Sequence, residues 1–263
     1  MKIRNDKYYT PRNLANKLIV NTINLIGISN ISEIIEPSAG NGSFSSLIPP
    51  CIAYDIEPEA EGIIQADFLK LDLGYKKGRL FIGNPPFGTR NSLSVKFYNK
   101  CVKEGDFIAF IQPISQYNNN LQMYAFDLIS SVDLGIVEYS NRKLHCCFNI
   151  YARPKNGLNP KPDYTLKDVT IIEHRRGSER EIPKGWDYAL CTWGNFSLGK
   201  VPEYVGQYAL EVYVYVHNKK YLDTIKGILS RDIIKGYVKS ISSAKISKGR
   251  LYKYLKENIP EIQ

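Results

Sequence analysis

Residues 79–87 are Arg79-Leu80-Phe81-Ile82-Gly83-Asn84-Pro85-Pro86-Phe87. The apolar run that ends at Gly83 predicts a buried strand, which places the next four residues at the end of a parallel sheet. Two successive prolines fix φ and lack an N–H group, so the nearby carbonyl groups are held rigidly and can accept hydrogen bonds. The carbonyls of Asn84 and Pro85 together suit one planar NH₂ group, and the ring of Phe87 suits stacking on the group that bears it. A proline-rich turn with no chemical role is the alternative.

The first part of the chain alternates short apolar runs with amphipathic segments. The runs that predict strands are 31–35, 51–54, 63–64, 80–82 and 107–111. Helical spacing of apolar residues predicts helices after Pro11, over 43–48, over 93–102 and over 121–129. This alternation predicts an α/β fold, with a doubly wound and mostly parallel sheet of the Rossmann-like kind.

A proline-rich segment, residues 153–162, separates this pattern from a different one. Beyond it, alternation over 208–216 predicts a strand, and residues 221–229 and 251–259 are predicted helices. The sequence therefore predicts two domains, residues 1–155 and a smaller α+β domain over residues 156–263.

The net charge of +9 is unevenly distributed over the 263 residues. Residues 1–150 carry 15 Lys and Arg against 14 Asp and Glu, whereas residues 151–263 carry 20 against 12. Such an excess in the second domain is expected if it binds a polyanion such as nucleic acid, and a solvated basic surface is the alternative.

The five cysteines form no CxxC pair, and there are three histidines. We therefore expect no metal site and a reducing, cytoplasmic compartment. Neither a signal peptide nor a membrane-spanning segment is predicted, so we expect no membrane partner.

Residues suited to a nucleoside ligand follow the predicted strands. Gly40 and Gly42 follow the first strand and allow the backbone to approach a ligand closely. Asp55 ends the second strand, where a carboxylate can accept hydrogen bonds from ribose hydroxyls, and Asp67 follows the third. A third glycine at the usual offset is missing, which argues against a nicotinamide dinucleotide.

Taken in order, these motifs resemble the adenine amino-methyltransferases, class I enzymes that use S-adenosylmethionine. The gamma-type DNA enzymes of restriction–modification systems are the most similar, since their cofactor motifs come first and their target-recognition region last. The resemblance covers residues 8–153. The stretches that carry it are Tyr9-Thr10-Pro11, EPSAGNGSF (36–44), Tyr54-Asp55-Ile56-Glu57-Pro58, Gln65-Ala66-Asp67-Phe68 and IGNPPFG (82–88).

The resemblance implies roles for individual residues. Asn84, Pro85, Pro86 and Phe87 would be the catalytic motif, with Asn84 and the Pro85 carbonyl accepting both hydrogens of the target amine. The cofactor, converted to S-adenosylhomocysteine by the reaction, would be bound by Tyr9, Thr10, Pro11, Glu36, Pro37, Ser38, Ala39, Gly40, Gly42, Asp55, Ile56, Asp67, Phe68 and Asn84.

The target base would stack on Phe87, and the resemblance implies a second aromatic residue on a late strand, for which Phe148 is the candidate. Residues 88–92 would form a lid in which Arg90 contacts a phosphate. The candidate nucleic-acid contacts in the second domain are Arg175, Arg176, Arg180, Lys245, Lys248, Arg250, Lys253 and Lys256. Trp186 and Trp193 are candidates for stacking on nucleic acid or for a small core.

We therefore predict transfer of a methyl group to the exocyclic amine of adenine in DNA, with the base flipped out of the duplex. A cognate restriction nuclease is an optional partner. The alternatives are the same reaction on structured RNA, methylation of a protein glutamine or of the cytosine amine, and an inactive binding subunit. Cys51, which follows a proline, is a weaker candidate for the nucleophile of a cytosine-ring enzyme.

Overall fold

A computed structural model describes residues 8–139, 142–178, 183–238 and 245–263. The chain forms two compact units, Met1–Lys161 and Pro162–Gln263. The division falls in the proline-rich segment, after Lys161 rather than after Lys155. Arg180 lies outside the described residues.

The first unit contains a seven-stranded sheet among its described residues, in the order β3-β2-β1-β4-β5-β7-β6. Strands β1 to β5 are parallel, whereas β7 is antiparallel to both of its neighbours. The strands are β1 (Glu33–Glu36), β2 (Ile52–Asp55), β3 (Ile63–Gln65), β4 (Arg79–Gly83), β5 (Phe107–Pro113), β6 (Asp127–Tyr139) and β7 (Arg142–Ala152). The order reverses between β1 and β4, and ligands of doubly wound sheets bind outside the carboxyl ends of the strands at such a reversal.

Helices α1 (Arg12–Ile26) and α2 (Ser92–Glu104) cover opposite faces of this sheet. Leu18 of α1 belongs to one buried cluster with Leu80 and Ile82 of β4, and Phe97 of α2 belongs to another with Phe81. Because successive side chains of a strand point to opposite faces, the two clusters lie on the two sides of β4. This arrangement confirms the predicted doubly wound, mostly parallel fold.

Two of the predicted helices are wrong. Over 121–129 the chain forms a loop and then enters β6 at Asp127. Asn118 has φ 46°, and the side chain of Asn119 accepts a hydrogen bond from Leu121 N, so local asparagine contacts replace a helical turn. Over 43–48 the structure has only a 3₁₀ turn, Ser45–Leu47, because Glu36 takes the Ser45 N–H and the chain then meets two prolines.

The second unit is an antiparallel three-stranded sheet in its described part, in the order β8-β10-β9, with helices packed against it. Its strands are β8 (Val169–Arg175), β9 (Tyr188–Cys191) and β10 (Leu210–Val216), and its helices are α3 (Leu222–Ile228), α4 (Arg231–Tyr237) and α5 (Lys248–Asn258). The unit is α+β, and α4 is an element that the sequence did not predict. No helix in the described part of the chain has the length and apolar character needed to span a membrane.

Candidate active site

A pocket of about 260 Å³ opens at the carboxyl edge of the first sheet, where β1, β2 and β4 end. It brings together most of the residues predicted for the cofactor. Those that line it are Tyr9, Thr10, Glu36, Pro37, Ser38, Ala39, Gly40, Asp55, Ile56, Asp67, Phe68 and Asn84. Pro11 and Gly42 do not line it, since Pro11 is exposed before α1 and Gly42 is buried in the glycine loop.

The charge of the pocket lining is acidic. Glu36, Asp55 and Asp67 line it, and no Lys or Arg does so among the described residues. Phosphate-binding pockets contain basic side chains or several converging backbone N–H groups, whereas a cationic ligand is stabilised by carboxylates. The lining therefore favours a ligand that carries positive charge.

Asp55 holds the glycine loop beside the pocket. Its Oδ2 accepts a hydrogen bond from Gly40 N at 2.7 Å, and its Oδ1 accepts one from Glu57 N at 2.8 Å. Gly40 has φ 54°, and a Cβ there would come within 3.0 Å of the Tyr9 ring, so only glycine fits without strain. Each carboxylate oxygen keeps a further lone pair for a ligand hydroxyl.

The resemblance implies that this pocket binds S-adenosylmethionine, and Asp55→Ala should then raise the dissociation constant for this ligand about 10- to 30-fold. The change removes charge-assisted hydrogen bonds worth about 1.5–2 kcal/mol. Titration calorimetry checks this, with Asp72→Ala as the matched control, because Asp72 is an exposed carboxylate that also accepts from a backbone N–H, that of Gly74. Equal affinities of both variants and the wild type would contradict a role for Asp55 in binding. Asn is a poor replacement at 55, since its NH₂ group would face a backbone N–H.

Glu36 is buried at the end of β1, and only 2% of its surface is exposed. Its Oε2 accepts a hydrogen bond from Ser45 N at 2.7 Å. Burial raises its pKa to about 7, and the negative charge of Asp55 adds to the shift, while hydrogen bonds from the backbone oppose it. Glu36 is therefore near its point of half-ionisation at neutral pH, and a cation in the pocket would favour its charged form.

Asn84 follows β4, and the nitrogen and the oxygen of its side-chain amide have different surroundings. Its Nδ2 donates to Tyr8 O at 3.0 Å and to Thr10 Oγ1 at 3.3 Å. A carbonyl oxygen can only accept, so the Tyr8 contact fixes which side of the amide bears the NH₂ group. The Oδ1 atom is buried and has no hydrogen-bond partner in the described part of the chain. A buried acceptor without a donor costs about 1–3 kcal/mol, which a ligand N–H would recover.

The backbone after Asn84 is fixed by the start of α2. Leu93 N and Ser94 N approach the Phe87 carbonyl oxygen at 3.2 and 3.4 Å, and Ser94 Oγ donates to the Pro86 carbonyl at 3.4 Å. Pro86 lines the pocket, whereas Pro85 is buried away from it. The acceptor role of the Pro85 carbonyl stays a prediction.

The rings of Tyr8, Phe87 and Tyr139 form a cluster at residues 84–87. Tyr8 packs against Phe87 with ring centroids 6.1 Å apart and against Tyr139 at 5.1 Å. Phe87 is 9% exposed, so stacking of a base on it requires the Tyr8 ring or the Phe87 segment to move. Burial raises the pKa of Tyr139 well above its usual range, Cys146 adds to the shift, and the Asn84 amide opposes it. The Tyr139 hydroxyl therefore lies next to Asn84.

The predicted base-stacking role of Phe148 is corrected by its burial. Its side chain is 0% exposed within the hydrophobic core, and it pairs with Ile111 inside the sheet. The strand that carries it extends further, because Cys146 is already paired with Pro113 at the end of β5. The β6–β7 hairpin thus projects past the sheet edge and brings Tyr139, rather than Phe148, to residues 84–87.

Several pocket residues were not predicted. They are Tyr8, Ser43, Phe44, Ala66, Leu69, Leu93 and Phe97. Ser43, Phe44 and Ala66 lie within the quoted motifs, so their neighbours signalled them. Phe97 was recognised only as part of a helical pattern, and it stacks on Phe68 with centroids 5.7 Å apart and an interplanar angle of 13°.

The predicted lid, residues 88–92, has a strained backbone. Arg90 and Asn91 both have positive φ, 55° and 64°, a conformation that costs about 1–3 kcal/mol for each non-glycine residue. The Asn91 amide contacts Ser115 Oγ at 3.3 Å, and the side chain of Arg90 is exposed. Exposure is compatible with the predicted phosphate contact of Arg90, which stays a prediction.

The alternative in which Cys51 is a nucleophile is not supported. Burial and the nearby charge of Glu36 raise the pKa of the Cys51 thiol to about 12. A thiol with such a pKa is protonated at neutral pH and is a poor nucleophile. No group of three or more potential metal ligands is found among the described residues.

The predicted contacts of the second unit separate into exposed and buried residues. Arg175, Arg176, Lys245 and Lys248 are exposed, as a phosphate contact requires. The prediction for Arg250 is wrong, because this residue is 9% exposed and its guanidinium lies 4.9 Å from the Tyr237 ring. Arg250 contributes to the packing of α5 instead.

The remaining candidates of the second unit also differ in exposure. Lys253 is largely covered and forms an ion pair with Glu257 at 3.1 Å, and Lys256 donates to Ile262 O. Trp186 packs against Tyr213 at 5.6 Å, and Trp193 is 46% exposed. Trp193 is therefore better placed than Trp186 for stacking on a ligand.

Solved structures with a related fold have low sequence identity to this chain. A proposed RNA methyltransferase from Pyrococcus horikoshii is 15% identical with a TM-score of 0.44, over 56% of this chain and 87% of that one. The 23S rRNA methyltransferase ErmE is 12% identical with a TM-score of 0.42, over 59% and 72%. Magnesium protoporphyrin IX methyltransferase from Synechocystis, with bound SAM, is 10% identical with a TM-score of 0.40, over 54% and 79%. No family model and no curated protein matches the chain.

The assignment of the fold rests on the topology of the first unit. Its strand order, its five parallel strands and its antiparallel β7 are those of the class I methyltransferase, Rossmann-like fold. The first unit has this fold, and its pocket lies where the fold binds ligands.

Proposed function

We propose that this chain transfers a methyl group from S-adenosylmethionine to the exocyclic amine of adenine in DNA. The observation that carries the proposal is the unpartnered, buried Oδ1 of Asn84 at the edge of a pocket lined by carboxylates. The pocket suits a cationic nucleoside, and the free acceptor suits the N–H of an incoming amine. The sequence motifs named above support the same assignment.

The pocket residues have roles that follow from their positions. Asp55, at the end of β2, would accept hydrogen bonds from the ribose, and Glu36 would balance the positive charge at the methionine end. Tyr8 O and Thr10 Oγ1 accept hydrogen bonds from Asn84 Nδ2, which leaves the buried Oδ1 available for a ligand N–H. Bound S-adenosylmethionine would supply an electrophilic methyl group.

Asn84 Oδ1 would act on the nitrogen that accepts the methyl group. As the new C–N bond forms, this nitrogen becomes positive, and a fixed carbonyl dipole stabilises that charge where it develops. The amine then loses a proton to solvent. Alignment of the two reacting atoms contributes most to such an in-line displacement, so no strong base is required. A paired base cannot reach this position, and flipping it out costs a few kcal/mol.

A transfer assay tests the proposal. The protein is incubated with methyl-labelled S-adenosylmethionine and with DNA, RNA and protein acceptors, the acceptors are separated, and labelled nucleosides are identified by mass spectrometry. We expect 6-methyladenine in DNA and, with Asn84→Ala, labelling that is about 100- to 1,000-fold slower. Label found only in RNA would change the acceptor, label only in protein glutamine would change the substrate class, and no label in any acceptor would contradict the activity.

A further inference from the structure

One end of the small sheet in the second unit collects exposed cations and exposed aromatic rings. Arg175 ends β8 opposite Leu210 at the start of β10, and Cys191 ends β9 opposite Glu211. Arg176 N donates to Ala209 O at 3.3 Å, so the turn after β8 lies at the same end of the sheet as the loop after β9. The turn after β8 and the loop after β9 are about 20 residues apart in the chain, but they lie only a few strand spacings of about 4.8 Å apart in the sheet.

The loop after β9, residues 192–199, is held in one conformation by its own hydrogen bonds. Ser197 Oγ donates to Trp193 O at 2.7 Å, and Leu198 N donates to Gly194 O at 2.9 Å. Gly199 N donates to Cys191 O at 2.8 Å, and a Cβ at Gly199 would come within 2.8 Å of Arg231 Cα. The loop is therefore packed closely against the start of α4.

This loop presents Phe196 to solvent. The Phe196 side chain is 86% exposed, the highest exposure among the large hydrophobic side chains in the described part of the chain, and Trp193 is 46% exposed. A single exposed ring is common on protein surfaces, but this closely bonded loop exposes two rings, and a cluster of exposed rings on one rigid loop indicates a binding surface.

Two basic residues contact the backbone of the residues that carry the rings. Arg231 Nη2 donates to the Phe196 carbonyl at 3.1 Å, and Lys245 pairs with Trp193 through an isolated backbone bridge. Exposed acids, Glu203 and Asp232, are near them in the chain, yet residues 162–263 carry 17 Lys and Arg against 12 Asp and Glu. We call Arg175, Arg176, Trp193, Phe196, Arg231 and Lys245 the aromatic–basic surface.

We propose that the aromatic–basic surface binds an unpaired, single-stranded segment of DNA. Base–aromatic stacking strengthens such binding about 5- to 150-fold per base, and it requires a base whose face is free, which a duplex interior does not offer. The cations of the surface contact the phosphates between stacked bases. The proposal deepens the proposed function, on which its choice of DNA rests, because an enzyme that extrudes a base needs a place for unpaired nucleotides.

The test measures binding of fluorescein-labelled oligo(dT) of 20 nucleotides by fluorescence anisotropy, with the full chain and without cofactor. We expect Phe196→Ala to weaken binding about tenfold and Lys245→Glu to weaken it and to reduce its salt dependence. Leu158→Ala, at an exposed position of the first unit, and Lys167→Glu, at an exposed position before the start of β8, are matched controls, and both should bind as the wild type does. Because the Phe196 side chain is 86% exposed, its replacement should leave the melting temperature unchanged.

Four results would overturn the proposal. The first is that Phe196→Ala and Lys245→Glu both bind oligo(dT) as the wild type does, and the second is that a 20-base-pair duplex binds as tightly as oligo(dT), whether or not Phe196 is replaced. The third is a tenfold preference for oligo(U) over oligo(dT). The fourth is that the protein binds no DNA but self-associates in sedimentation, and that Phe196→Ala abolishes this self-association. Oligo(dT) contains no adenine, and Asn84→Ala should bind it normally. Phe196-dependent binding without methyl transfer would therefore contradict the proposed function alone.

Discussion

Asn84→Ala should lower kcat for methyl transfer about 100- to 1,000-fold while the affinity for S-adenosylmethionine changes less than threefold. Removal of one fixed dipole that stabilises charge in a transition state has an effect of this size. Asn84 Oδ1 has no partner in the described part of the chain, so its loss leaves no donor of the protein unpaired. The loss of Nδ2 leaves Tyr8 O and Thr10 Oγ1 without this donor, which lowers stability modestly.

Single-turnover kinetics with labelled cofactor measure the catalytic effect, and calorimetry measures the binding. Asn13→Ala is the matched control, because Asn13 is an exposed asparagine on α1. Asn84→Asp adds a second comparison, since it keeps an acceptor but turns a second oxygen toward the Tyr8 carbonyl. It should fall between the wild type and Asn84→Ala. Turnover of Asn84→Ala within threefold of the wild type would contradict the catalytic role.

Glu36→Gln should abolish a pH dependence of stability that amounts to about 3 kcal/mol. The folded-state pKa of Glu36 is raised from 4.5 to about 7, chiefly by burial. The unfolded chain therefore releases the proton first, and the free energy of unfolding falls as the pH rises from 4.5 through 7. Glutamine does not ionise, so the difference between the variant and the wild type should grow in favour of the variant over this range.

Urea unfolding at pH 5 and at pH 8 measures this difference, with Glu61→Gln as a control at an exposed position.

A cationic ligand beside Glu36 should also displace the proton of this carboxyl group. Calorimetry at pH 6, in buffers with different ionisation enthalpies, should show close to one proton released for each S-adenosylmethionine bound by the wild type and almost none by Glu36→Gln. The prediction would be wrong if the unfolding free energies of the wild type and Glu36→Gln changed equally with pH and both proteins released the same number of protons. Glu36 would then ionise as an exposed carboxyl does.

The sequence predicted the site best where function depends on strand ends. Asp55, Asp67 and Asn84 each follow or end an apolar run, and the carboxyl ends of parallel strands meet at one edge, so local patterns were sufficient to place them together. Glu36 was predicted through the resemblance alone. The fold class followed from the same alternation. In the second unit β10, α3 and α5 were predicted, whereas β8, β9 and the short helix α4 were not.

Other parts of the site depend on long-range pairing, which local patterns do not encode. Tyr139 reaches Asn84 only because the β6–β7 hairpin extends beyond β5, and nothing near residue 139 signals this register. Phe148 has the composition of a stacking residue but lies in the interior of the same hairpin. Arg250 was also predicted wrongly from its residue type. Its position on α5 directs the guanidinium toward the Tyr237 ring rather than toward solvent.

The two backbone hydrogen bonds accepted by Asp55 have a consequence for the kinetics of ligand capture. Fixing the backbone of one residue costs about 1–2 kcal/mol of entropy, and the turn at Gly40 incurs that cost when the protein folds. A nucleoside that enters the pocket would thus find the Gly40 turn already in its binding conformation. Its association rate should be set by diffusion and by the attraction between its positive charge and the acidic lining, with no slow rearrangement of the turn beforehand.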